Sequence, residues 1–356
     1  MSIKRVCMVG GGRVGQLHSA GISRHLSHRA RVTALVEPVA QVAEKLAAEL
    51  GGIPVHASLD EALASGQYDG AVITTPTFTH RDLAVTALEA GLDVHLEKPM
   101  AMNLVECADI SGALERSGRH LQLGFMRRFD RDFVAAAQLL ASGQIGEPMI
   151  IKSLTHGPGL PPAWANDIRT SNGLIAEVTS HDLDTISWFA GSEPVDIHVR
   201  VANFKGAARG VDTPNFYDTM LATVGFASGA LASVAGVCPA DYGYDARVEV
   251  TATRGMVQVG DTGPGGIQTV VAGSGTKTAA VYPSWRLRFA DAYVAEMAGF
   301  VDAMEGAPPR VGAVEGTRAV ALTIAGVTSL LEGRPVPLAE VTAAPAVPHW
   351  QAGARA

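Results

Sequence analysis

Cysteine is scarce in this chain of 356 residues, which contains three: Cys7, Cys107 and Cys238. The number is odd and the spacings are long. Neither a disulfide framework nor a metal-ligand set is written into them, and a reducing cytoplasm is the expected compartment. Charge is also low. Charged residues make up 18% of the chain and the net charge is -7, which argues against nucleic acid or an anionic membrane surface as a main partner. No apolar run approaches the roughly 18 residues needed to cross a bilayer. The opening stretch "MSIKRVCMVGG" lacks a secretory apolar region. No internal repeat is visible. The histidines show no metal spacing; His18, His25 and His28 read as surface residues, and no metal is expected.

What is present is glycine and apolar surface. The chain holds 39 glycines, and 47% of its residues are hydrophobic. Its length exceeds one ordinary core, so two domains are expected, over 1–125 and 126–340, with an extended tail over 341–356. The first third alternates strand and helix. "KRVCMVGGG", "RVTALVE" (31–37), "DGAVITTP" (69–76), "DVHLEKP" (93–99) and "HLQLGFM" (120–126) read as strands. Helices are expected over 13–26, 38–51, 80–91 and 103–118, the last with Asn103 and Glu106 in capping-box spacing. Near-continuous apolar strands separated by helices imply a parallel sheet covered on both faces. From about 147 the pattern changes to strands joined by Gly-rich turns, including 268–281, with helices at 174–190, 286–305 and 314–332. That half reads as an α+β domain with an open, mostly antiparallel sheet.

Gly10, Gly12 and Gly15 fit G-x-G-x-x-G. A bare glycine turn is the alternative, but this loop follows a strand, opens a helix and leads to a second strand ending in Glu37. Gly10 would permit the tight turn, Gly12 the approach of a pyrophosphate, and Gly15 helix–strand packing. Glu37 lies 22 residues after Gly15, where an acid binds ribose hydroxyls. It would repel a 2′-phosphate, and Pro38 and Val39 follow it, so NAD is favoured over NADP. Near the end of the fourth strand stands Glu97-Lys98-Pro99. Proline removes a backbone donor and keeps Lys98 out of helical geometry. Read in isolation, the pair is a surface ion pair worth at most about 1 kcal/mol.

"GGGRVG", "TTPTFTH" (74–80), "EKPMA" (97–101) and "GFMRRFD" (124–130) occur in the order found in the Gfo/Idh/MocA family of sugar and polyol dehydrogenases, which the chain resembles over nearly its whole length. "SHDLDTISWFAG" (180–191) is similar to the family's substrate-domain helix. "DYGYDARVEV" (241–250) and "RFADAYVAEM" (288–297) resemble the inositol dehydrogenase branch. The resemblance implies an N-terminal Rossmann domain, with a parallel doubly wound sheet, and a C-terminal α/β domain whose open sheet buries itself in a homo-oligomer, a tetramer or dimer. It implies NAD held by Gly10, Gly12, Arg13, Val14, Glu37, Thr75, Pro76, His80, Glu97 and Lys98. Lys98 would reach the nicotinamide end and the reacting hydroxyl, where its cationic head stabilises developing alkoxide.

His181 is the second chemical candidate, because a hydroxyl losing hydride must also lose a proton and histidine titrates near neutral pH. Glu177 is four residues earlier, so one continuous helix would place both on one face. The family usually carries Asp at the Glu177 position. By resemblance Arg127 or Arg128 donates to substrate hydroxyls; on a strand the two would point to opposite faces. Asp184 could line the pocket or cap a neighbour. Tyr242, Tyr244 and Trp285 are candidate pocket walls, with aromatic core packing the equal alternative. Gly157-Pro158 departs from the Asn-Pro of inositol enzymes, which weakens the case for myo-inositol itself. The expected activity is oxidation of a ring secondary alcohol of a cyclitol or sugar to the ketone, with hydride passing to NAD. A non-catalytic NAD- or sugar-sensing protein, or a reductase of a different ring substrate, is the alternative.

Overall fold

The computed structural model describes residues 2–211, 213, 215–260 and 282–351. The strand expected over 268–281 lies outside the described residues, as does the end of the tail. The chain divides into two compact units, one of 1–130 with 291–317 and the other of 131–290 with 318–356. A continuous second domain over 126–340 therefore does not describe the grouping, since 291–317 returns to the first unit.

The first unit is built on six strands: β1 (Lys4–Val9), β2 (Ala30–Val36), β3 (Val55–His56), β4 (Gly70–Ile73), β5 (Asp93–Leu96) and β6 (Leu121–Leu123). All pairs are parallel, in the order β3-β2-β1-β4-β5-β6. This is the arrangement of doubly wound dinucleotide-binding sheets, with the reversal of strand order between β1 and β4. The register aligns the strand ends: Val9 pairs with Val36 and Ile73, Ile73 with Leu96, and Leu96 with Leu123. One row along the carboxyl edge therefore carries the next residues, Gly10, Glu37, Thr74, Glu97 and Gly124.

Helices α1 (Arg13–His25), α2 (Ala40–Glu49), α3 (Leu59–Ser65), α4 (His80–Glu89) and α5 (Leu104–Ser117) link these strands. Val6, Met8, Ile22, Leu35 and Val72 form a core with Met297 and Phe300 from the later helix Ala290–Met304. The short β3 and α3 were not legible in the sequence; two and seven residues leave little periodicity to detect.

The second unit has a seven-stranded sheet: β7 (Pro148–His156), β8 (Pro194–Ala202), β9 (Thr219–Phe226), β10 (Leu231–Val237), β11 (Asp245–Ala252), β12 (Gly255–Val259) and β13 (Val336–Pro337). Its order is β12-β11-β7-β10-β9-β8-β13, and β7–β10 is the parallel pair among otherwise antiparallel neighbours. The helices continue as α6 (Arg131–Ala141), α7 (Ile168–Ser171), α8 (Leu174–Glu177), α9 (Ser180–Ala190), α10 (Trp285–Arg288), α11 (Ala290–Met304), α12 (Ala313–Glu332) and α13 (Leu338–Thr342).

One sheet face is covered. Asp182 of α9 accepts from Ser153 Oγ at 2.5 Å and Thr155 Oγ1 at 2.6 Å on β7. A methyl group on Gly326 of α12 would meet Ile175 at 2.3 Å and Val199 at 3.3 Å. The other face leaves Ile150, Leu221 and Leu231 43%, 54% and 60% exposed, beside polar positions such as the Lys152–Glu249 ion pair.

Several expectations need correction. The helix expected over 174–190 is two helices, and the one over 286–305 is interrupted at Phe289. The helix expected to begin at Arg127 and Arg128 is α6, which starts at Arg131 after a short 3-10 turn. The tail is not simply extended. α13 precedes it, and Trp350 and Gln351 donate to Asn172 Oδ1 at 3.1 and 2.9 Å, docking it on the second unit. Finally, α12 is long and apolar enough to cross a membrane by length and composition, but 61% of its most apolar window is buried within the protein, as in a core helix.

Candidate functional site

The glycine loop leaves β1 with Gly10 at φ +102°, a conformation that side chains resist. Thr74 Oγ1 donates to Gly10 O at 2.9 Å, tying the loop to the end of β4. At Gly15 a Cβ would sit 2.0 Å from Gly10 O, so only glycine lets α1 approach the loop. At Gly12 nothing lies within 4 Å of a built Cβ. Gly12 is also the N-cap of α1 and offers no side-chain cap. The first-turn N–H groups of α1, from Arg13 and Val14 onward, thus face open space, with the positive end of the helix dipole behind them.

A cleft of about 640 Å³ opens there, within the size range of small-molecule sites. Val9, Gly10, Gly12, Glu37, Thr75 and Pro76 line it. Among the described residues its lining includes the carboxylates Glu37, Asp60 and Asp82 and no Lys or Arg. Glu37 is held by two backbone donors, Gly11 N at 2.8 Å and Val39 N at 2.9 Å. Free helix N–H groups suit a pyrophosphate, and an anchored carboxylate suits ribose hydroxyls, so the residues present fit a dinucleotide.

Lys98 follows β5 at the same edge and is half-buried. Its backbone N–H donates to Glu97 Oε2 at 3.2 Å. Glu97 is buried; its Oε1 lies 2.9 Å from His18 Nε2 of α1. Gly124 is pressed against this carboxylate, since a Cβ there would stand 2.8 Å from it. Burial alone would raise the Glu97 pKa, but the His18 hydrogen bond and nearby positive charge outweigh it and hold the group below the usual carboxylate range. His95 lies on β5 two residues before Glu97, and burial, aided by His18, pushes its imidazole down to about 3. It is therefore neutral at neutral pH, and His18 and Lys98 are the partners that matter for Glu97. His80 connects two loops: its Nδ1 lies 2.8 Å from Pro99 O and its Nε2 3.0 Å from Thr75 O. Burial is the larger influence and lowers its pKa.

Arg127 and Arg128 lie in a 3-10 turn, Met126–Phe129, rather than on a strand. Strand alternation therefore does not separate them. Arg127 is 1% exposed, and Arg128 is half-buried.

In the second unit His181 is in the first turn of α9 and 9% exposed. Glu177 ends α8, so the single helix that would have set Glu177 and His181 on one face does not exist. The break has a local cause. Thr179 N reaches back five residues to Leu174 O at 3.1 Å, and Thr179 Oγ1 bonds Ile175 O at 3.0 Å, before Thr179 O receives the first bond of α9. Asp184 is buried. Tyr244 is also buried, 6.1 Å from the Phe289 ring, and bridges Tyr282, which favours the packing reading. Trp285 opens α10, half-buried, with the Arg286 guanidinium 5.2 Å from its ring. Tyr242 hydroxyl contacts His156 Nδ1 and donates to Asp245 Oδ2 at 3.1 Å.

Sequence reasoning missed His18, His95 and Glu296. His18 is fully buried rather than on the surface. The signal was present: with Gly15 and Ile22 it follows the buried stripe of α1. Glu296 likewise lies on the stripe of Ala292, Tyr293, Met297, Phe300 and Val301.

The fold and this loop define a dinucleotide-binding oxidoreductase. Residues 4–125 match the model of an oxidoreductase family with an NAD-binding Rossmann fold, and 133–258 match the GFO/IDH/MocA C-terminal domain. The chain belongs to this family, and residues 4–125 are its NAD-binding domain. It is 30% identical to the scyllo-inositol 2-dehydrogenase (NAD(+)) of Bacillus subtilis over 94% of this chain and 96% of that protein. It is equally similar, at 30%, to an inositol 2-dehydrogenase of Rhizobium meliloti over 94% and 99%. The crystal structure of a myo-inositol dehydrogenase from Corynebacterium glutamicum superposes with a TM-score of 0.81 at 27% identity, covering 95% of this chain and 99% of that one.

Proposed function

We propose that the protein is an NAD-dependent dehydrogenase that oxidises a ring secondary alcohol of a cyclitol, or a related sugar, to the ketone. One observation carries the reading most: the dinucleotide cleft opens where the strand order reverses, and Lys98 follows the adjoining strand at the same edge. The inositol dehydrogenases among its relatives supply the substrate class. Bound NAD supplies the hydride acceptor. In this reading the Lys98 ammonium stabilises the developing alkoxide, and His181 takes the hydroxyl proton. Glu177, Arg127 and Arg128 are proposed to bind substrate hydroxyls; Trp285 is proposed as a wall, and Tyr244 as a residue that packs behind it. NAD is proposed to be preferred over NADP because, among the described residues, three carboxylates and no cation line the cleft. The protein is proposed to work as a homo-oligomer in the cytoplasm. A sensing role is disfavoured because a sensor needs neither a lysine nor a histidine of this kind.

The test is a panel of inositols and pyranoses assayed by NADH absorbance. At least one cyclitol should be turned over, and silence across the panel rejects the reading. Lys98→Met and His181→Ala should each lower kcat by roughly 10²–10⁴-fold while NAD binding stays nearly intact. The His181 variant alone should lose the near-neutral limb of the pH dependence of kcat/KM. Full kcat in His181→Ala would remove that residue from the mechanism.

A further inference from the structure

The first unit contains a buried polar group that substrate oxidation, as described above, does not use. His18, His95, Glu97 and Glu296 offer nitrogen and oxygen atoms all within 4.8 Å of one another. Their exposures are 0%, 0%, 8% and 0%. They converge from three places: α1, the end of β5, and α11. The Gln122 side-chain amide donates to the Glu296 backbone carbonyl at 2.8 Å and lies 3.2 Å from His95 Nδ1. The carbonyl bond identifies that amide atom as nitrogen. His95 Nδ1 must then accept, and the ring proton sits on Nε2. Among the described residues neither that N–H nor either Glu296 side-chain oxygen has a hydrogen-bond partner.

A leucine would fill the Glu296 position at lower free-energy cost, because a buried polar group without a partner is destabilising. An acid kept there, against the residue that precedes Lys98, calls for a functional account. A divalent cation is a poor one. It would need a lone pair from each imidazole, and the Nε2 proton denies it that of His95. Proton sharing fits the donor set better. Glu97 already accepts at Oε2 from Lys98 N and faces His18 with Oε1. A carboxylate has about four lone-pair sites, so it can also accept from a neighbouring carboxylic acid.

Building on the dehydrogenase reading, we propose that Glu296 is a positioning residue that shares a proton with Glu97 inside this buried group and thereby fixes the carboxylate that holds the Lys98 backbone. Glu296 donates its proton in a hydrogen bond to the Glu97 carboxylate, so no net charge is made or lost. Burial, and then the charge of Glu97, drive the Glu296 pKa well above the usual carboxylate range. Glu296 therefore keeps its proton while Glu97 stays ionised. The other titratable groups facing the cluster are Tyr293, whose ring is 5.7 Å from His18, Lys98, and His80, which feels both Glu97 and Lys98.

The experiment compares Glu296→Leu and Glu296→Gln with the parent. Both variants should fold, as checked by thermal melting. Glu296→Leu should lose about tenfold or more in kcat with NAD affinity held within about threefold. Glu296→Gln, which can donate an N–H to Glu97, should recover part of that loss. Two readouts need no turnover and so separate this inference from the dehydrogenase reading. In the apo parent at neutral pH, infrared spectroscopy should show the carbonyl band of a protonated acid, absent from both variants. The rate of acylation of Lys98 at neutral pH, followed by mass spectrometry, should differ from the parent's in Glu296→Leu. The inference is overturned by parental kcat and Lys98 labelling in Glu296→Leu. It is equally overturned by a missing infrared band in the parent, or by a stoichiometric bound metal that Glu296→Leu loses.

Discussion

Glu37 shows how one side chain can serve structure and selectivity together. Its carboxylate accepts from Gly11 N and Val39 N, so it is fixed before any ligand arrives. In the proposed reading, a fixed anion at the end of β2 costs no reorganisation when ribose hydroxyls bind, and it repels a 2′-phosphate. Glu37→Ala should narrow the NAD-over-NADP ratio in kcat/KM by about tenfold, equivalent to about 1.4 kcal/mol. An unchanged ratio would assign the selectivity to Asp60 and Asp82 instead. His95 and Glu296 make the opposite case: polar side chains on apolar stripes, where the pattern shows burial and says nothing of partners.

Element ends determine where the chemistry stands. α5 is capped by Asn103, five residues after Lys98, and its capping box works in a displaced form. Asn103 Oδ1 accepts from Glu106 N at 3.1 Å, while Glu106 Oε2 accepts from Met102 N at 3.0 Å, one residue before the cap. The cap thus anchors the segment that runs on from Glu97-Lys98-Pro99. Asn103→Ala should cost about 1–2 kcal/mol of stability, read as a lower midpoint in denaturant unfolding. Stability equal to the parent would show that α5 is held by packing alone. The interruption between α8 and α9 is the second case. Thr179 turns the chain, so Glu177 and His181 are placed by two elements, and a helical-wheel argument does not apply to them.

For the whole molecule the question is what covers the open sheet of the second unit. Ile150 and Leu231 are register partners on β7 and β10, and both lie on the uncovered side with Leu221. An apolar strip of this kind on a sheet face suits association with a second copy, as proposed. Light scattering at micromolar concentration should give the mass of a dimer or tetramer, and Leu231→Lys should shift it toward the monomer. A monomer mass in the parent would reject the proposal.

Much of this protein was legible in its sequence, for a physical reason: strand and helix periods, glycine spacing and an acid at the end of the second strand are local features that pack the same way wherever they recur. They determined the parallel sheet, the glycine loop, the acidic partner Glu37 and the change to an antiparallel second half. Tertiary structure alone decided the rest. The return of 291–317 to the first unit brings Glu296 beside residues some 200 or more positions away, and no local pattern encodes such a meeting. The break at Thr179 depended on a side-chain bond to the helix backbone, which a periodicity count cannot see. Whether a polar residue on a buried stripe has a partner is decided by elements that meet only when the chain is folded.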